Sequence, residues 1–172
     1  MFLQKIDETF EDDILSYENI TVEKALGNLI SDSKLQISFV ESITGGLISS
    51  LLVKNPGISK YFIGSDIVYT NESKKLLLND ENTNFEDWEE LTYNLTEASL
   101  NKYKSNVALT ILGEAGPISS SKYPVGTIFI CISNGEKTVI SDHKMNGNRA
   151  EILERASNKA QWELIKFIKN LY

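Results

Sequence analysis

Apolar positions along the chain fall at helical spacing, then alternate, then return to helical spacing, and this exchange repeats over most of its length. Val22, Ala25, Leu26, Leu29 and Ile30 lie three and four residues apart behind Thr21, which predicts an amphipathic helix with a hydroxyl cap. Leu35, Ile37 and Phe39 then alternate with Gln36 and Ser38, a strand ending at Glu41 and Ser42. Leu47, Ile48, Leu51 and Leu52 carry a second helix. It must stop by Asn55-Pro56-Gly57, because proline bars the helical conformation of the residue before it.

Residues 61–69 read as the next strand, and Asn71 is placed to cap a short helix through Leu78. Asp87 or Glu86 begins a longer helix with Trp88, Leu91, Leu95 and Ala98 on one face. Residues 107–112 and 126–133 read as strands; Asn134-Gly135, both tolerant of positive φ, turns the second into a hairpin with residues 138–144. From Asn148, the run Ile152, Ala156, Ala160, Leu164, Ile168 and Leu171 makes a long closing helix. Helices alternating with strands and then a hairpin imply an α/β fold, a three-layer α/β/α domain with a mixed β-sheet.

With 172 residues, 41% of them hydrophobic, the chain suits one domain with a sizeable core. Charge divides it into an acidic N-terminal extension, residues 1–20, and the domain proper, residues 21–172. The extension holds Asp7, Glu8, Glu11, Asp12, Asp13 and Glu18 against Lys5 alone, a net −5 of the total −7. It also carries Phe2, Leu3, Ile6, Phe10, Ile14 and Leu15, suiting either a short packed helix or a partner-binding arm. The near-balanced remainder lacks the basic footprint of a nucleic-acid binder. No apolar run is long enough for a membrane span, and residues 1–20 are too acidic for a secretory signal, so the expected location is the cytoplasm, with no membrane partner. Cys131, the single cysteine, sits in an apolar run and reads as core; His143, the single histidine, reads as a surface or strand-edge residue.

Ligands in open α/β sheets gather outside the carboxyl ends of strands, here residues 41–46, 69–74 and 113–117. At the first, a strand passes through a glycine-rich turn into a helix, where free N–H groups and the positive dipole end can receive an anion. Alone, each segment reads as easily as a plain turn or loop.

Together they resemble the CinA C-terminal domain family, whose characterised activity is nicotinamide-nucleotide amidase, also called nicotinamide mononucleotide deamidase. Glu41-Ser42-Ile43-Thr44-Gly45-Gly46 is similar to the family's Glu-Ser-Cys-Thr-Gly-Gly, and Tyr69-Thr70-Asn71-Glu72-Ser73-Lys74 to its Tyr-Ser-Asn-Glu-Ala-Lys. Gly113 with Ala115-Gly116-Pro117 resembles Gly-Ile-Ala-Gly-Pro, and Pro124-Val125-Gly126-Thr127 fits Pro-Val-Gly-Thr. The order and spacing match from about Ala25 to the closing helix. The resemblance implies hydrolysis of a carboxamide to the acid and ammonia, with no cofactor and no metal, by a homo-oligomer acting on a small nucleotide or related carboxamide.

Under that resemblance Ser42 is the nucleophile and the neutral amine of Lys74 its base, which requires a lowered lysine pKa. Tyr69 orients the lysine or relays the proton. The N–H groups of Thr44, Gly45 and Gly46 hold either the oxyanion or the substrate phosphate, with Asn71, Gly113, Ala115 and Gly116 around the substrate. Arg149 is placed to pair with phosphate through two parallel hydrogen bonds.

Departures from the family pattern stand beside the matches. Leu112 replaces a threonine, Glu114 a small apolar residue, Ile118-Ser119-Ser120-Ser121-Lys122-Tyr123 a glycine-rich stretch and Leu153 an arginine; Asp66 interrupts an apolar strand. A carboxylate at 114 that faced the pocket would oppose a phosphate by about 1–4 kcal/mol at a separation of about 4 Å, depending on the effective dielectric. One facing solvent would not. A second reading therefore accompanies the amidase: a catalytically degenerate ligand-binding or regulatory module.

Overall fold

The computed structural model describes residues 20–171. The two expectations for the acidic segment, packed helix or binding arm, fall on residues outside that range, Ile20 excepted. Helix α1 spans Val22–Ser33, β1 Ile37–Glu41, α2 Leu47–Leu52, β2 Phe62–Ile67, α3 Asn71–Leu78 and α4 Trp88–Tyr103. Strands β3 (Val107–Gly113), β4 (Thr127–Ser133) and β5 (Thr138–Lys144) follow, and α5 (Arg149–Lys169) closes the chain.

The strands form one mixed sheet in the order β2-β1-β3-β4-β5. β1 runs parallel to both β2 and β3, while β4 and β5 add antiparallel to β3 as the expected hairpin. Parallel neighbours cannot be joined by tight turns, so the links from β1 to β2 and from β2 to β3 carry α2 and the pair α3–α4. These helices lie on opposite faces. The chain therefore leaves β1 to one side and returns on the other, and the crevice of such a sheet opens outside the carboxyl ends of β1 and β3.

Each face has its own core. Ile37 and Phe39 of β1 and Leu109 and Ile111 of β3 face α1, α2 and α5, which contribute Leu26, Ile30, Ile48, Leu52, Ala156, Ala160 and Leu164. All five residues of β1 are buried, as a central parallel strand requires. Truncating the fully buried Phe39 to alanine would cost about 3–5 kcal/mol. On the opposite face, Val40 and Leu112 meet Leu91 and Leu95 of α4.

The inward face of α4 differs from the expected one: Thr92, Thr96 and Ser99 are buried with Leu91 and Leu95, whereas Ala98 is only partly so. Two hydroxyls of the sheet explain this. Thr96 Oγ1 donates to Thr110 Oγ1 at 2.7 Å, and the Oγ atoms of Ser99 and Ser38 lie 2.8 Å apart. Buried hydroxyls are tolerated when each finds a partner.

The start of α3 also shifts by one residue from expectation. Thr70, not Asn71, is the cap, accepting from Ser73 N at 3.2 Å while Ser73 Oγ accepts from Thr70 N at 3.1 Å. Asp87 caps α4, accepting from the N–H groups of Glu89 and Glu90, and Asn148 caps α5 in a reciprocal box with Glu151. Cys131 is fully buried in β4, and burial pushes its thiol up to about 11. His143 lies on the edge strand β5. Asp66, on the other edge strand, holds Lys102 Nζ at 2.5 Å, which accounts for a carboxylate in an apolar run. Among the described residues no helix is long and apolar enough to cross a membrane.

Candidate active site

The turn after β1 is organised by Glu41. Its fully buried carboxylate accepts through Oε2 from Thr44 Oγ1 at 2.7 Å and from the N–H groups of Gly46 and Ile48 at 3.1 Å. Oε1 accepts from Ser49 N at 2.8 Å and Ser49 Oγ at 2.6 Å. The anion expected at this helix start is thus supplied by the protein itself. Gly46, at φ 98°, sits where a Cβ would come within 2.9 Å of Ile67, so the turn closes only with glycine. Gly45 N donates to Ser42 O at 3.2 Å.

Thr44, Gly45 and Gly46 are not among the residues that line the cleft, and the Gly45 and Gly46 amides, with the Thr44 hydroxyl, have internal acceptors. What the turn does is present Ser42. Its N–H continues the ladder to Ile111 O at 3.0 Å, fixing the residue at the crevice between β1 and β3.

The cleft there has a volume of about 410 Å³. Ser42, Tyr69, Asn71, Lys74, Gly113, Ala115, Gly116 and Arg149 all line it, so segments some thirty to forty residues apart in sequence converge as the carboxyl-end argument requires. Gly113 is where β3 leaves the sheet; a Cβ there would come within 2.7 Å of Ile43 and 2.8 Å of Ile128.

Lys74 is only 7% exposed. Its amine makes a 3.4 Å contact to Thr70 O, and no carboxylate of the described residues is within ion-pair distance. Burial holds its pKa below the ordinary lysine value, opposed by the nearby charge of Glu72. Depressed basicity without a counter-ion is what a lysine acting as a base requires.

Tyr69 is held at the rim by Arg149. Its hydroxyl accepts from Arg149 Nη2 at 2.6 Å, while Arg149 Nη1 donates to Gly116 O, also at 2.6 Å. Arg149 opens α5, so one guanidinium ties that helix, the loop after β3 and the segment leading into α3 together at the rim. The Tyr69 hydroxyl is thereby held by the arginine, while the Lys74 amine meets Thr70 O.

The departures fall into two groups. Leu153 packs against the first core and does not line the cleft, whereas Leu112 and Glu114 do. Glu114 is 9% exposed, and its Oε2 accepts from Ser120 N and Ser120 Oγ at 3.0 Å and from Ser121 Oγ at 3.4 Å. The carboxylate and the serine segment are therefore one feature: the serines hold the charge that the family's small residue lacks.

That segment is ordered from within and from below. Ser119 Oγ donates to Tyr123 O at 2.6 Å, the Tyr123 ring lies 4.3 Å from that of Trp88, and Phe129 closes the aromatic cluster edge-on. Trp88 and Phe85, with the 83% exposed Ile118, form an apolar wall of the cleft that the sequence reading missed. Trp88 carried only a helical-face signal, and Phe85, just before the helix start, carried none. The role of Glu41 was missed too, although a carboxylate ending a strand before a glycine-rich helix start is a legible hint. His143 and Cys131 are not part of the cleft lining.

Comparison with known proteins bears on the same region. Residues 19–168 match the CinA C-terminal domain. A CinA-like protein of Pseudothermotoga lettingae is 37% identical over 135 residues, covering 76% of this chain and 33% of its own. A putative competence-damage inducible protein of Clostridioides difficile is 33% identical over 160 residues, covering 90% of this chain and 38% of its own. The chain thus spans little more than a third of these relatives' length. In fold it is similar to the crystal structure of a competence-damaged protein (CinA) superfamily protein from Enterobacter cloacae, with a TM-score of 0.80 at 21% identity, covering 91% of this chain and 97% of that one. The structure of the competence/damage inducible protein CihA from Agrobacterium tumefaciens gives 0.77 at 24% identity, covering 87% and 97%.

Proposed function

The chain belongs to the CinA C-terminal domain family, and from that premise we propose that it is a cofactor-independent amidase that hydrolyses the carboxamide of nicotinamide mononucleotide or a close relative. The observation that carries the reading is that one cleft is lined both by Ser42 and by a buried Lys74 whose amine has no counter-ion among the described residues.

Chemistry follows from that pair. Neutral Lys74 accepts the Ser42 proton as Oγ attacks the carboxamide carbon, giving a tetrahedral intermediate with its charge on oxygen. The lysine ammonium then protonates the departing nitrogen, the C–N bond breaks, and ammonia leaves an acyl-serine. Water, deprotonated by the same amine, attacks the ester and restores Ser42. Asn71 offers an amide donor at the cleft, and Arg149 retains N–H groups beyond the two it spends on Gly116 and Tyr69, enough to meet a phosphate at the rim.

A second reading, a ligand-binding module without turnover, draws on Glu114 and Leu112, which replace family residues in the cleft lining. One assay separates the two. Purified protein given nicotinamide mononucleotide should release ammonia and the corresponding acid at a rate that a chelator leaves unchanged. Folded protein that binds the nucleotide and releases no ammonia would leave the binding module standing in place of the amidase.

A further inference from the structure

Glu114 is the one carboxylate among the cleft-lining residues that is buried, and no ion pair among the described residues neutralises it. The other glutamate of the lining, Glu86, is exposed. No lysine, arginine or histidine of the described residues lies within ion-pair distance of Glu114. Its three side-chain hydrogen bonds converge on Oε2, from Ser120 and Ser121. Among the described residues Oε1 has no hydrogen-bond partner, and it is not a fully buried atom, so the lining residue Glu114 keeps one carboxylate oxygen unspent.

A carboxylate held by one oxygen and offering the other is costly to bury without a complement. The serine segment fixes its position and does not discharge it. Phe85 and Trp88 line the same cleft, and aromatic rings also favour a positive partner. Carboxylate and aromatic wall ask for the same thing, a flat group bearing positive charge. An anion has its place elsewhere, beside Arg149 at the rim.

We propose that Glu114 is a specificity-determining residue that selects a ligand ring carrying a delocalised positive charge. The identity of that ring rests on the amidase reading: in nicotinamide mononucleotide it is the pyridinium that bears the scissile carboxamide. The charge seats the ring against Glu114 and Trp88, which leaves its carboxamide to Ser42. On this account the substitution at 114 does not exclude the nucleotide; it sharpens recognition of the ring's oxidised state, and the phosphate is met by Arg149.

The test compares ligands that differ in ring charge alone. Calorimetric titration should show the wild type binding oxidised nicotinamide mononucleotide roughly tenfold or more tighter than the same nucleotide with its ring reduced to the neutral dihydropyridine. Glu114→Gln should bind the two within about twofold of one another, since the amide keeps the shape and loses the charge. Equal affinities in the wild type, or an undiminished preference in Glu114→Gln, would overturn the proposal. Should that variant fail to fold, a second wild-type pair decides: the N-methylnicotinamide cation must bind more tightly than neutral nicotinamide, and equality or the reverse order overturns it. Ammonia release is scored separately. Charge preference without turnover retires the amidase and keeps this inference; turnover without preference does the opposite.

Discussion

Lys74 concentrates the conflict between folding and chemistry in this molecule. Burial lowers its pKa from the lysine value of 10.5, so the folded chain binds that proton less tightly than the unfolded chain does. The resulting penalty on stability is complete below the folded pKa and vanishes as pH rises through the interval up to 10.5. Lys74→Met should therefore raise the melting temperature at neutral pH while abolishing turnover, and a melting temperature that falls would show that the amine is better compensated than its contacts indicate. In turnover the sign is that of a base: kcat/KM should climb with pH through the lowered pKa and then level. Ser42→Ala and Lys74→Ala should each reduce kcat by about a thousandfold or more, and the double variant should cost little beyond either, because the two groups act as one unit. Multiplicative losses in a full cycle would show independent roles.

At the scale of the element, α2 is the weak link that the site depends on. Six residues are too few for a helix to persist on propensity, since nucleation is unfavourable and each added residue returns little. What holds it is the Glu41 carboxylate, which takes five hydrogen bonds from the turn and the first helical residues. Glu41→Gln removes the charge and turns an N–H₂ toward donors, so it should lower stability to urea by about 2–4 kcal/mol and strip hydrogen-exchange protection from residues 46–52. An unchanged midpoint would mean that packing of Ile48 and Leu52 suffices alone. The α4 interface supplies a contrasting case: Thr96→Val, which leaves the buried Thr110 hydroxyl without its partner, should cost about 1–3 kcal/mol, whereas Thr110→Val should cost less, because Thr96 Oγ1 still donates to Thr92 O at 2.8 Å.

Over the whole molecule, the sheet separates the end that carries the cleft from the rest. Ser42 and Glu114 follow the carboxyl ends of β1 and β3, whereas His143 lies on β5 at the sheet's edge. Burial, with Lys159 nearby, depresses the His143 pKa below 6.5 against the pull of Glu163 and Asp142. The unfolded chain then binds more protons, so this group's share of stability is lost as pH falls from 6.5 through its folded value. His143→Gln should flatten the stability–pH curve there and leave turnover unaltered, read by urea unfolding at several pH values beside the ammonia assay; an unaltered curve would exclude the histidine as its cause.

What the sequence determined by itself was local. Period three-to-four against period two marks the helices and strands because burial of one face is decided within a few residues of chain, and Asp87 and Asn148 cap their helices because a cap reaches only two or three residues along. That Ser42 and Lys74 line one cleft was legible as well, through motifs placed after strands. Tertiary structure decided what depends on partners far along the chain. It gave the turn after β1 to Glu41, whose reach into α2 requires the helix already to be formed. It set Tyr69 on Arg149, eighty residues away. It turned hydroxyls of α4 inward because Ser38 and Thr110 wait there. It also joined Glu114 to Ser120 and Ser121 within a cleft walled by Trp88. In the sequence those were separate departures; in the fold they are one site, because a buried charge acquires its meaning only from what surrounds it.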